Sequence, residues 1–137
     1  RSCIAWTVCY IEPDEIDEHG MSASLRRAFS KAIEDIEAQV SKIDVILLDG
    51  NPLRLDPREK SIVKGDRTSA SIAAASIVAK VERDALMDDL DIRYPGYGFA
   101  SHKGYGTKDH IEAIQSRGLS PVHRKTFCTG FMQETLF

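Results

Sequence analysis

Two acidic residues and one tyrosine carry most of the chemistry this sequence could perform. Asp49 closes the apolar run Asp44-Val45-Ile46-Leu47-Leu48-Asp49 and is followed by Gly50-Asn51-Pro52. A run of that length between helices reads as a buried parallel strand, and functional groups in open α/β sheets gather at the carboxyl ends of strands. Asp66 follows Lys64-Gly65, 17 positions later. Taken alone, each acid also reads as an ordinary turn or helix-cap residue. Taken together with hard cations, two convergent carboxylates suit phosphodiester hydrolysis, in which metals activate water and stabilise the leaving oxygen. Tyr105 stands between two glycines in His102-Lys103-Gly104-Tyr105-Gly106. Glycines expose backbone and let a ring stack on a sugar or base, although a ring packed down over its own loop is equally compatible. His123, Arg124 and Lys125 either contact phosphate or form a solvated charge run. Lys80 and Asp84, four apart, read as an exposed helical ion pair, and Arg83 belongs with them.

The elements that must position these residues follow from periodicity. Residues 4–11 are β-branched and aromatic and read as a strand. Pro13-Asp14-Glu15 reads as a helix start, giving a short turn up to Gly20. Ser22 or Ser24 can cap a following helix whose Leu25, Phe29, Ile33, Ile36 and Val40 share one face. Residues 51–60, with two prolines and several charges, read as a loop leading to Ile62-Val63. A long helix covers about 69–91, with a small-residue stripe through Ala74, Val78, Val81 and Ala85. Tyr94-Pro95-Gly96-Tyr97-Gly98 breaks it, and Thr107 caps a further helix ending at Gly118. The tail from Ser120 is not settled by its sequence. The order strand–helix–strand–helix–helix is α/β in a single domain, residues 1–137.

Composition narrows the function classes. The chain has 137 residues, 42% hydrophobic and 28% charged, which is globular and long enough for a core. No apolar stretch reaches membrane-spanning length, and the expected partners include no membrane. Cys3, Cys9 and Cys128 are odd in number and not metal-spaced, which points to a reduced, cytoplasmic protein. Net charge is −3, but residues 1–50 carry 5 basic and 10 acidic side chains while residues 93–137 carry 6 and 3. That excludes a uniformly basic nucleic-acid binder and leaves a locally basic C-terminal part beside an acidic site.

Several motifs occur together in one order: Leu47-Leu48-Asp49-Gly50-Asn51, Val63-Lys64-Gly65-Asp66, the alanine-rich run from Ser71 to Asp84, Tyr94-Pro95-Gly96-Tyr97-Gly98-Phe99, His102-Lys103-Gly104-Tyr105-Gly106-Thr107, then Ser120-Pro121, His123-Arg124 and Phe127. As a set they resemble bacterial ribonuclease HII, the type 2 ribonuclease H, over essentially the whole chain. The resemblance implies the C-terminal part of a ribonuclease H-like fold, a mixed sheet flanked by helices with additional C-terminal helices. It implies cleavage of RNA in RNA–DNA hybrids and cutting 5′ of ribonucleotides embedded in duplex DNA, with Mn²⁺ or Mg²⁺ held by four acids. Asp49 and Asp66 correspond to the third and fourth of these. Substrate contact is implied for Tyr105, which reads the RNA–DNA junction, and for Lys103, Lys80 and Asn51. The family's first two acids, an adjacent Asp-Glu before a Gly-Arg-Gly loop, have no counterpart here. Asp14-Glu15 is followed by Ile16-Asp17-Glu18 and lies after residues 4–11, which the resemblance places as a later strand. The domain is therefore expected to be incomplete at its N-terminus. An inactive remnant of the family and a non-enzymatic α/β interaction module are the alternatives. Finally, Gln133, Leu136 and Phe137 resemble the peptide by which bacterial replication and repair proteins dock on the sliding clamp; the alternative is an ordinary frayed terminus, since five-residue patterns arise by chance.

Overall fold

A computed structural model describes residues 3–132, which form two compact units. One holds residues 3–11 and 22–80, the other residues 12–21 and 81–132. The class is α/β, as expected. In chain order the elements are α1 (Pro13–Glu37), β1 (Ile46–Asp49), β2 (Glu59–Ile62), α2 (Gly65–Thr68), α3 (Ala70–Arg93), α4 (Phe99–His102), α5 (Lys108–Arg117) and α6 (Lys125–Met132).

In the first unit, β1 and β2 pair in parallel, with Ile46 opposite Glu59 and Asp49 opposite Ile62. Ile46 and Leu48 turn into the core with Ile72 of α3, while Asp49 at the strand end is exposed. The sequence reading missed most of β2, because Glu59-Lys60-Ser61 is polar and carries no strand propensity. What orders it is Glu59 itself. The Glu59 carboxylate accepts hydrogen bonds from the Leu53 amide (2.8 Å), the Leu55 amide (3.0 Å) and the Ser61 hydroxyl (3.0 Å). These bonds, the backbone ones first, hold its pKa below the usual glutamate value and wrap the loop after Asn51 around the start of the strand.

Three sequence expectations need correction here. Residues 4–11 are not a strand; they run irregularly, and Ile4 is 92% exposed. β propensity describes fit to a pleated neighbour, and without pairing backbone the segment has no ladder to join. Ser24 is no cap. It is buried within α1, which begins at Pro13 and is interrupted only at Gly20 (φ 79°, ψ 160°), a conformation that glycine adopts at little cost. The Ala74–Val78–Val81–Ala85 stripe of α3 is mostly exposed; Ile72 and Leu90 are the residues of that helix that reach the core.

The second unit is helical and closes on Phe99, Ile114 and Cys128, with Ile114 fully buried. Thr107 caps α5 as expected, its side chain accepting from the His110 amide. Thr107→Ala should lower stability by about 1 kcal/mol, read as a shift in the urea midpoint at unchanged slope. The unsettled tail forms α6, whose first amides are taken by Asp17. Its carboxylate accepts from Lys125 N (2.6 Å) and Thr126 N (3.1 Å) and from the Thr126 hydroxyl. The Thr126 hydroxyl leads in holding the Asp17 pKa below its usual value. A cap supplied from 108 positions away leaves no local signature.

Candidate active site

The site begins with sheet geometry. Parallel pairing carries both strands in one direction, so β1 and β2 end side by side at Asp49 and Ile62. The Gly50 amide extends the ladder by donating to the Ile62 carbonyl at 3.0 Å. Beyond Ile62 the chain turns through Lys64, held in the left-handed region (φ 55°, ψ 41°), into the short helix α2. That turn delivers the Gly65 amide to Asp49, whose Oδ1 accepts from it at 2.8 Å. Asp66 is the next residue. Two acids far apart in sequence are thereby joined through a single backbone hydrogen bond, and both are exposed.

Gly65 is required there by close approach. A Cβ on it would lie 2.5 Å from Ile72 Cδ1 and 3.4 Å from Asp49 Oδ1. Asn51 is exposed just past Asp49, in the loop that Glu59 wraps. Lys80, also exposed, is on α3 at the end of this unit.

Carboxylate oxygens are the hard donors that Mg²⁺ and Mn²⁺ prefer, and two of them with waters suffice for a weak divalent site. Among the described residues, no cluster of three or more Asp, Glu, His or Cys side chains is arranged to hold a metal. The pair offers two oxygen ligands of the kind such an ion takes and does not by itself close a cage.

Tyr105 and Lys103 lie in the second unit. Tyr105 is 63% exposed, on a loop fixed by its backbone: its amide donates to the His102 carbonyl (2.9 Å), and its carbonyl accepts from the His110 ring (2.9 Å). Its ring is held by Arg83, whose guanidinium carbon sits 4.9 Å from the ring centroid. Arg83 also donates to the Tyr105 hydroxyl (3.3 Å) and to the Lys103 carbonyl (2.7 Å). Lys103 is less available than a surface lysine: its ammonium donates to the Asp84 carbonyl (3.3 Å) and pairs with Asp88.

Sequence reasoning passed over Arg83 as part of an exposed helix face. Its partners stand 20 and 22 residues away, so no local pattern marks it. His123 is neither a phosphate contact nor part of a solvated run; it is 4% exposed and bonded to other side chains. Gln133, Leu136 and Phe137 lie outside the described residues.

The sequence profile described as Ribonuclease HII matches residues 2–130. The chain belongs to the ribonuclease HII family. A Ribonuclease HII from Ruminiclostridium cellulolyticum is 44% identical over 136 residues, covering 97% of this chain and 51% of the relative. The chain thus spans about half the length of the curated relative it matches. The family's match runs through both the Asp49–Gly65–Asp66 junction and the Tyr105 loop. The three cysteines are free, and among the described residues no helix is long and apolar enough to cross a membrane.

Proposed function

We propose that this chain is part of one type 2 ribonuclease H domain, a metal-dependent endonuclease acting on RNA–DNA hybrids and cutting 5′ of ribonucleotides in duplex DNA. The observation that carries the reading is the Asp49–Gly65 hydrogen bond, which sets Asp66 beside the exposed end of β1. Membership of the family supplies the reaction class. That the match crosses both units supports a single domain.

Asp49 and Asp66 would hold Mn²⁺ or Mg²⁺ between them. Such an ion, when bound, lowers the pKa of water and stabilises charge on phosphoryl oxygens. The chain's own contribution is orientation. The Gly65 amide fixes one Asp49 oxygen and so sets the direction of the carboxylate. The N-terminal part of α2 places Asp66 without a long flexible linker. Asn51 and Lys80 would contact the nucleic-acid strand. Tyr105 would pack on the sugar at the junction, held by Arg83, and Lys103 would stiffen that loop while contacting phosphate. Binding through such contacts should fall as salt rises. The reading places the protein in the cytoplasm, where replication and repair generate the substrate. Gln133, Leu136 and Phe137 would serve docking on a sliding clamp.

Mn²⁺-induced relaxation of backbone NMR signals tests the site directly. Broadening centred on residues 49–51 and 64–67, abolished in Asp49→Asn/Asp66→Asn, is the expected result. Broadening that ignores the double substitution would remove the reading. Arg83→Ala should weaken binding to a duplex holding one ribonucleotide about 2- to 5-fold by anisotropy, since cation–π contacts at exposed sites are worth about 0.5–1 kcal/mol.

A second reading is an inactive remnant of the family. The two readings differ in cleavage and agree in metal binding.

A further inference from the structure

Three of the four histidines, His102, His110 and His123, are buried together in the second unit. The His102 and His110 rings stack at 4.1 Å, and His110 Nε2 meets His123 Nε2 at 3.1 Å. Their partners leave one proton arrangement. The Ser120 amide can only donate, and it lies 3.0 Å from His123 Nδ1, so that nitrogen is bare. The Ser120 hydroxyl, 2.7 Å away, can add a second donor. A neutral His123 then carries its proton on Nε2, facing His110. The Tyr105 carbonyl can only accept, and it lies 2.9 Å from His110 Nδ1, so His110 carries its proton there and its Nε2 is bare. His102 is fixed in the same way: the Gly104 amide donates to its Nδ1 (3.2 Å), and its Nε2 donates to the Tyr97 carbonyl (2.7 Å). All six ring nitrogens are engaged.

We propose that His123 and His110 are positioning residues for Tyr105: a one-way chain of hydrogen bonds from the Ser120 amide through both imidazoles to the Tyr105 carbonyl holds the loop, and it exists only while both rings are neutral. The proposal rests on the substrate-reading role assigned to Tyr105 above. A proton added at His110 Nε2 would face the His123 N–H, two donors 3.1 Å apart. A proton added at His123 Nδ1 would face the Ser120 amide.

At His123 Nδ1 the Ser120 hydroxyl can turn to accept, leaving the amide as the opposed donor; no other group around the pair relieves the conflict, which is strict at His110 Nε2. Those other groups are His102 on α4, the Tyr97 phenol, which is committed to the Gly118 carbonyl, the Tyr105 phenol with Arg83, Lys103 on the same loop, and Arg124 beside His123 in the chain. Burial first, then the neighbouring histidines, pushes the pKa of His123 below 6.5; burial leads for His110 too, with His102 adding to it. The sign follows. The unfolded chain takes up protons first, near pH 6.5, so the network contributes fully above that value. Its contribution is lost as pH falls through the lower folded values.

The test is a titration of the whole chain from pH 8 to 5, following imidazole nitrogens and the Tyr105 ring by NMR. The expected result is a proton on His110 Nδ1 and on His123 Nε2, midpoints below 6.5 for both, and a Tyr105 shift with the same midpoint. His123→Gln keeps a donor for His110 and can turn its oxygen to a protonated His110. It should leave Tyr105 in its high-pH position and raise the His110 midpoint. His123→Leu should displace the Tyr105 signal already at pH 8. A merely structural role would lower Tm in both variants without moving the Tyr105 midpoint, and would overturn the proposal. So would the opposite tautomers in the unsubstituted chain, a readout that needs no variant to fold. Anisotropy with a duplex holding one ribonucleotide separates the two claims. Binding that weakens with the Tyr105 midpoint supports both. Tyr105 coupling without duplex binding at any pH upholds the positioning chain and removes the ribonuclease reading.

Discussion

Asp49→Asn should abolish divalent-metal-dependent cleavage, with a loss of at least about 100-fold, while leaving the fold intact. The amide side chain is nearly the same shape, and its oxygen can still accept from the Gly65 amide, so the loop junction has no reason to open. What disappears is the negative charge. A divalent cation bound by two carboxylates and water depends on that charge, and metal assistance supplies several kcal/mol of transition-state stabilisation. At 1.36 kcal/mol per tenfold, a 100-fold loss is about 2.7 kcal/mol, well within that range. The measurement is initial rate on a duplex holding one ribonucleotide, with the chain joined to the portion of the Ruminiclostridium cellulolyticum relative outside the match, alongside circular dichroism and Tm. An unchanged Tm with lost cleavage is the expected pair of results. A rate within about threefold of the unsubstituted joined protein would show that Asp49 carries no catalytic charge.

Gly65→Val should be the most damaging single substitution near the site that removes no polar group. Its first side-chain carbon would overlap Ile72, which is buried, so the methyl has little room to move aside. Overpacking of this kind costs roughly 1–3 kcal/mol. It also crowds Asp49 Oδ1, 3.4 Å from the added carbon, so the hydrogen bond that orients the carboxylate should lengthen. The predicted outcome is a Tm drop of about 4 °C per kcal/mol lost, together with Mn²⁺ affinity weakened about tenfold. A normal Tm and normal Mn²⁺ affinity would mean that the α2 junction is looser than the close contacts indicate.

The parts of the molecule that were legible in the sequence are those governed by local rules. The long alanine-rich helix, the apolar strand ending at Asp49, and the Thr107 cap all announce themselves within a few residues, and the structure bears them out as α3, β1 and the start of α5. The α/β class followed from their order. What escaped depends on partners distant along the chain. β2 is built from polar residues and is a strand because β1 lies beside it and Glu59 gathers the preceding loop. Residues 4–11 show the converse: strong β propensity, and no strand assigned there among the described residues. Asp17 caps α6 across most of the chain. At the candidate site, Asp49 and Asp66 were visible as acids next to turns, and their connection through Gly65 was not. Tyr105 was visible through its glycines, whereas Arg83 and His110, which bond to it, emerge only when α3 and α5 are folded.

The measurement that bears most directly on the account is cleavage of a 5′-labelled DNA duplex containing one ribonucleotide, in Mn²⁺. The reaction would be run with this chain alone, and with this chain joined to the portion of the Ruminiclostridium cellulolyticum ribonuclease HII that lies outside the match. The account predicts a cut 5′ of the ribonucleotide by the joined protein, lost in Asp49→Asn and in Asp66→Asn. A joined protein that folds, binds the duplex and cuts equally well with both acids replaced would contradict it.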